Sequence, residues 1–274
     1  MNQRPDDFDP LVPAAVSPRK RRFRAVPLRV ILPNLVTLIA LCMGLTAIRF
    51  AIEGRFETAV LAIIAAAILD GLDGRIARAL QGTSRFGAEL DSLADFVDFG
   101  VAPALILYMW SLHDLKGPGW FAALVFAIAA ALRLARFNVA IDDPHKRPWQ
   151  DAFFTGMPAP AGACCVLLPL YLSLSELHVP HDQRQAAWHI AYVLVIAFLM
   201  ASRIPHFSGK TLGRIPREYV VFVLFGVAAM LLLIATWPME MLAACVLLYL
   251  AVIPFSVRRH RRLAAQDQAA ASET

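Results

Sequence analysis

Residues 57–110 read ETAVLAIIAAAILDGLDGRIARALQGTSRFGAELDSLADFVDFGVAPALILYMW. Two apolar runs enclose a segment that carries Asp70, Asp73, Asp91, Asp95 and Asp98. A helix crossing a hydrocarbon core of ~30 Å needs about 20 mainly apolar residues. Windows 57–80 and 86–111 reach that length, which predicts two membrane helices joined by a short turn around Gln81–Arg85. Six further windows qualify on either side: 31–52, 119–140, 157–175, 187–204, 218–236 and 238–257. Pro238, behind Trp237, splits the last apolar stretch into a tight helical hairpin.

Composition agrees with the windows. Of 274 residues, 58% are hydrophobic and 17% charged, and the mean hydropathy is +0.58. A soluble domain carries roughly 45–50% apolar residues and about 25% charge. That excess argues against a soluble single-domain enzyme and excludes a disordered chain, a collagen-like fibre and a small disulfide scaffold. The expected fold is an all-α integral membrane protein, a bundle of about eight transmembrane helices. Residues 30–257 form the membrane domain, with a basic segment at 1–29 and a basic tail at 258–274.

Charge sets the orientation. With the N-terminus inside, 22 of the 26 Lys and Arg fall on that side, and Arg49, Arg55, Lys116 and Arg184 fall on the other. This positive-inside pattern puts both termini in the cytoplasm. Residues 1–29 lack the apolar run of a signal peptide. Arg19–Arg24 and Arg258–Arg262 read as topology anchors touching anionic membrane lipids, rather than as a nucleic-acid surface. Cys42, Cys164, Cys165 and Cys245 lie in apolar windows without metal-ligand spacing and read as packing residues. None of the seven His residues is assigned a role.

The acids are the informative feature. One charge near the bilayer centre costs at least ~2.5–3.5 kcal/mol on insertion scales. Asp70 and Asp73, three apart, share a helix face, as do Asp91 and Asp95, four apart. At 1.5 Å per residue, Asp73 lies roughly 10 Å and Asp91 roughly 8 Å from the cytoplasmic ends of their antiparallel spans. The two pairs therefore face each other at matched depth. Four carboxylates converging in low dielectric need cations, and oxygen-only ligands suit Mg²⁺ or Mn²⁺, here as a pair. Such ions meet phosphate, so phosphoryl transfer at the cytoplasmic boundary is implied. Gly74, Ala77 and Gly87 leave room for a ligand, Arg78 offers a guanidinium fork, and Thr83 and Ser84 offer hydroxyls. Intramembrane acids also mark ion pathways. A transporter would be expected to show repeated halves and broken helices at the midplane, whereas these acids occupy one half of the chain.

The pattern Asp70-x2-Asp73-Gly74-x2-Ala77-Arg78-x8-Gly87-x3-Asp91-x3-Asp95 resembles the signature of the CDP-alcohol phosphatidyltransferase family, matching all eight fixed positions. The resemblance implies a helical membrane bundle, often a homodimer, with its site open to cytoplasm and lipid. Members exchange CMP on a CDP-linked lipid for an alcohol. It implies that Asp70, Asp73, Asp91 and Asp95 bind metal and that Asp95 is the base deprotonating the incoming hydroxyl. It also implies that Gly74, Arg78 and Ser84 contact the CDP group. Asn34 and Thr37 stand at the depth of the nucleotide or phosphate.

Outside that signature, Pro33-Asn34-Leu35-Val36-Thr37, the run Asp91–Pro103, Leu132–Asn138 and Phe154-x-Gly156-Met157-Pro158-x-Pro160 resemble bacterial phosphatidylserine synthases. This implies CDP-diacylglycerol and L-serine as substrates, in the bacterial inner membrane. Glycerol 3-phosphate is the alternative acceptor. Arg133 and Arg136 are candidates for the acceptor's carboxylate. Asn138 and Asp98 are candidates for its ammonium. Asp98, at i+7 from Asp91, reads either as a partner of a buried Arg or as part of that pocket.

Overall fold

The computed structural model describes residues 27–141, 153–176, 185–207 and 220–272. Most of segment 1–29 lies outside them, as do Lys146, Arg147, Arg184, Lys210, Arg214 and Arg217. Ten helices follow in order: α1 (Leu28–Ile52), α2 (Phe56–Ala79), α3 (Arg85–Phe96), α4 (Ala102–Trp110), α5 (Gly117–Ile141), α6 (Ala159–Val166), α7 (Leu168–Leu174), α8 (Ala186–Ala201), α9 (Val220–Thr236) and α10 (Pro238–Ser272). Each of the eight apolar windows holds helix over most of its described residues.

Among the described residues four stretches are long and apolar enough to cross a membrane: Leu28–Ile52, Arg85–Trp110, Gly117–Ala140 and Pro238–Leu263. The remaining windows hold helices that are shorter or charged. Helix α2 has the length but carries Glu57, Asp70, Asp73, Arg75 and Arg78. The window 157–175 is divided between α6 and α7 because Pro169, at the second position of α7, has no N–H for the Cys165 carbonyl. Tyr192 Oη of α8 donates to that carbonyl instead, at 2.6 Å.

The all-α expectation needs one amendment. Strands β1 (Phe153–Thr155) and β2 (Pro205–Phe207) pair antiparallel, with Phe154 opposite His206. Chain leaving α8 turns extended at Ser202 (ψ 170°), and pairing gives its amides the partners that a helix no longer provides. The tail also differs: α10 runs without a break through Arg258–Arg262, so the basic stretch continues the last apolar helix.

Small residues set the packing. Helix α1 buries Pro33, Thr37, Ala40, Gly44, Ala47 and Ala51, a stripe with alternating steps of four and three. It lies against Ala59, Ala62, Ile63 and Ala66 of α2, and the absence of bulk lets the backbones approach closely. Around this pair the core closes with Ile106 and Leu107 of α4, Phe126 of α5, Leu170 and Tyr171 of α7, and Ile196 and Met200 of α8. Leu35, Leu38 and Ile39 on the opposite side of α1 stay exposed, as a lipid-facing surface should.

Between α3 and α4 the chain forms one π-helical turn, Val97–Val101, in which the Ala102 N–H donates to the Val97 carbonyl. Pro103 explains it. Its ring would press on the Phe99 carbonyl in a regular helix, and the wider turn relieves that contact. The bulge rotates Asp98 toward α1, where a Cβ on Gly44 would collide with the Asp98 carboxylate. Gly44→Val should therefore force α1 off the bulge and cost about 1–3 kcal/mol. A melting curve of the detergent-solubilised protein checks it, with a lowered Tm expected.

Candidate metal centre and substrate site

Helices α2 and α3 meet at the acids. Asp70, Asp91 and Asp95 each bring one carboxylate oxygen within 4.8 Å of the others. The carboxylates of Asp70 and Asp95 lie close enough to repel, a repulsion that a proton or a cation between them would relieve. Asp73 stands beside this trio rather than in it. It is buried, and its Oδ2 accepts a 2.6 Å hydrogen bond from Thr37 Oγ1. Thr37, expected to face nucleotide or phosphate, is thus turned to Asp73 and, at 3.2 Å, to the Pro33 carbonyl.

The donor set is all oxygen. Among the described residues no Lys or Arg forms an ion pair with these acids; the ion pairs there are Arg49–Glu53, Arg55–Glu53 and His113–Asp114. A hard divalent cation is the species that fits three converging carboxylates in a half-buried site.

The turn into α3 supplies a second cluster. Ser84 caps the helix, its Oγ accepting from the Gly87 N–H at 3.0 Å. A Cβ on Gly87 would sit 2.7 Å from Asn34 Oδ1 and 3.1 Å from Ser84 Oγ, so glycine there lets Asn34, Ser84 and the α3 backbone converge. Arg78 is exposed, and its Nη1 swings over Gly74, 3.5 Å from where a Cβ would stand. Ala77 follows on the same helix, half-buried.

The acceptor candidates separate. Arg136 Nη1 donates to the Ala201 and Ser202 carbonyls at 2.8 and 3.2 Å, closing the end of α8. Asn138 Nδ2 donates to Ser92 Oγ at 2.9 Å, tying α5 to α3. Arg133 behaves differently. It is 9% exposed, lies 5.1 Å over the Phe137 ring, and has no hydrogen bond or ion pair among the described residues. Its guanidinium is within electrostatic reach of Asp95 and Asp70. Asp98 is 1% exposed and its Oδ1 has no hydrogen-bond partner. The partnership with a buried Arg that one reading offered is absent among the described residues.

Sequence reading passed over one further pair: His206 of β2 is hydrogen-bonded to Tyr249 of α10 at 2.9 Å. The available signal was a tyrosine inside an apolar window.

Residues 30–201 match the CDP-alcohol phosphatidyltransferase family. Three similar proteins carry the name CDP-diacylglycerol–serine O-phosphatidyltransferase. The one from Mycobacterium leprae is 42% identical over 253 residues, 92% of this chain and 82% of the relative. The one from Helicobacter pylori (strain ATCC 700392 / 26695) is 34% identical over 220 residues, 80% of this chain and 87% of the relative. The one from Bacillus subtilis is 36% identical over 172 residues, 57% of this chain and 93% of the relative.

The Thr37–Asp73 bond gives a direct test. Thr37→Val keeps the shape and removes the donor, so the divalent-ion concentration for half-maximal activity should rise about 10-fold, the usual scale for an outer-shell partner. Asp91→Ala removes a ligand outright and should lower turnover by more than about 100-fold at any ion concentration. Titrating Mn²⁺ against CMP release separates the two effects.

Proposed function

The chain belongs to the CDP-alcohol phosphatidyltransferase family, and from that premise we infer that it transfers the phosphatidyl group of CDP-diacylglycerol to the hydroxyl of L-serine, giving phosphatidylserine and CMP. The observation that carries this reading is the convergence of Asp70, Asp91 and Asp95 inside the matched region. Relatives of the same printed name along most of the chain supply the acceptor.

Asp70, Asp73, Asp91 and Asp95 would hold two divalent ions, Mg²⁺ or Mn²⁺. Bound there, such ions polarise the phosphoryl oxygens and steady the departing CMP. The chain's own groups do the rest. Asp95 takes the proton of the serine hydroxyl as its oxygen attacks the lipid-side phosphorus. The bond from that phosphorus to the bridging oxygen breaks, and CMP keeps the electron pair. Arg78 grips a phosphate oxygen of the CDP group, while Gly74, Ala77 and Gly87 leave it room. Asn34 and Ser84 bind at the α3 end of the same group, and Thr37 steadies Asp73. Arg133, buried and in no ion pair among the described residues, takes the serine carboxylate. Arg136 and Asn138 shape that side of the pocket, and Asp98 lines its deeper end.

Around this site we read eight spans in the bacterial inner membrane, both termini and the acids on the cytoplasmic side, and a homodimer as the working unit. The positive-inside charge asymmetry and the helix in each apolar window support it. Cysteine labels at either terminus should be shielded from an impermeant reagent in intact cells, and labels near Arg55 and Lys116 should react. A reactive terminus would put the site on the other face.

The activity itself is read by giving the purified protein CDP-diacylglycerol, Mg²⁺ or Mn²⁺, and one labelled alcohol at a time. Lipid product and CMP are expected from L-serine, none after EDTA, and recovery on restoring the ion. Asp95→Asn should keep CDP-lipid binding and lose turnover. Product from glycerol 3-phosphate alone would replace the acceptor, and ion-coupled uptake without CMP release would replace the enzyme by a transporter.

A further inference from the structure

The α2–α3 turn sits on the start of α1, where a Cβ on Gly82 would collide with the Arg29 carbonyl. That contact gathers three helix ends into one corner. Arg29 lies in the first turn of α1, Arg75 and Arg78 in the last two turns of α2, and Arg85 at the first position of α3. All four side chains are exposed, and among the described residues none is in an ion pair. The opposite ends of α1 and α2 differ: Arg49 and Arg55 there both pair with Glu53, at 2.9 and 3.7 Å. Arginines needed only to set orientation would serve anywhere along the cytoplasmic edge. These converge on the corner that leads to the acids.

Each of the three helices passes from charge to hydrocarbon along its exposed side. On α2 the exposed residues run Ile68, Leu72, Arg75; on α1 Arg29 is followed by Leu32 and Leu35, and on α3 Arg85 by Phe86 and Leu93. A cation at headgroup height beside exposed apolar side chains matches an anionic lipid, which has its charge and its acyl chains in the same order. At 1.5 Å per residue, Arg75 and Arg85 stand roughly 8 and 9 Å along their helices from Asp70 and Asp91, about one Debye length at physiological salt. Two divalent ions would neutralise the four acids and leave the field of the corner positive. CDP-diacylglycerol carries two negative charges on its diphosphate, phosphatidylserine one net negative charge, and zwitterionic serine none. Enrichment grows exponentially with charge, so a field that concentrates a singly charged headgroup about 3-fold concentrates a doubly charged one about 9-fold.

We propose that Arg29, Arg75 and Arg85 form a basic rim that concentrates the doubly charged donor lipid at the mouth of the acid site. The proposal rests on CDP-diacylglycerol as the donor, as read above, and is indifferent to the alcohol. The three arginines touch neither the reacting phosphorus nor the ions. Arg78, one turn from Arg75, takes the headgroup over from them. The attraction falls once CMP has left, because the product keeps one net charge, so the rim holds the product less than it held the donor.

The test uses the full chain in mixed micelles of an uncharged detergent, with CDP-diacylglycerol varied as a mole fraction, Mn²⁺ and L-serine saturating, and CMP release followed. Arg29→Gln, Arg75→Gln and Arg85→Gln together should raise the KM for CDP-diacylglycerol about 5–10-fold. kcat at saturating donor and the KM for L-serine should stay within about 2-fold. Raising NaCl from about 0.05 to about 0.5 M should raise the wild-type donor KM about 5-fold and that of the variant less than about 2-fold. Arg29→Lys, Arg75→Lys and Arg85→Lys together keep the charge and should restore the wild-type KM; the single Gln variants serve if the triple does not fold. An unchanged donor KM, a loss that Lys does not restore, a parallel rise in the serine KM, or equal salt dependence in variant and wild type each overturns the proposal. With glycerol 3-phosphate as the acceptor the donor KM is read in the same way. A wild-type protein that releases no CMP from CDP-diacylglycerol with any alcohol overturns the donor reading and the rim with it, whereas CMP release with an unchanged donor KM in the variant overturns the rim alone.

Discussion

Like charges gathered in an apolar bundle are the constraint around which this molecule is arranged. Asp70, Asp91 and Asp95 converge to within 4.8 Å, with no basic side chain in ion-pair contact among the described residues. Water cannot dilute their repulsion as it would at a soluble surface, because the surrounding helices are apolar. A divalent cation would resolve the conflict, and an affinity for one would follow from the same repulsion. The neighbouring groups confer stiffness. Thr37 pins Asp73, Ser84 fixes the start of α3, and Ser92 with Asn138 locks α3 to α5. A ligand set held by such bonds presents its oxygens before an ion arrives, so little order has to be created on binding.

Proline shapes the rest. Inside a membrane a carbonyl that loses its helical donor must find another or be accommodated by the chain. At Pro169 the relief is a tyrosine from another helix, since Tyr192 donates to the Cys165 carbonyl. At Pro103 it is a widened turn, and that widening turns Asp98 from the path of α3 toward α1. One divides an apolar window into two short helices; the other leaves a continuous helical stretch with a side chain redirected toward α1.

Much of this was legible in the sequence, for identifiable reasons. Helices carry their own period, so apolar windows mark them, and Asp at three- and four-residue spacing marks a shared face. The depth argument from 1.5 Å per residue paired the acids of α2 and α3 correctly in outline. What it missed was of another kind. A hydrogen bond such as Thr37–Asp73 depends on how α1 is rotated against α2, which no single-helix pattern encodes. The β1–β2 ribbon consists of two three-residue strands far apart in sequence, too short for any periodicity to register. Arg136 and Arg133 look equivalent as text, three positions apart on one helix. Only the arrival of the α8 carbonyls beside Arg136, and the stacking of Arg133 over Phe137, tells them apart.

The order of elements along the chain also has a temporal meaning. The acid cluster needs α2 and α3, steadied by α1 and α5, and all four lie within residues 28–141. Synthesis runs from the N-terminus, and low-contact-order helix pairs form quickly. The carboxylates therefore come together while the ribosome is still extending the chain. More than half the length of this sequence separates Asp95 from Tyr249, so α10 is made well after the acids. Nascent chains thus have the acid-bearing helices in hand before α10 is made, so on this order of elements the acids would gather first and the last apolar helix would pack later.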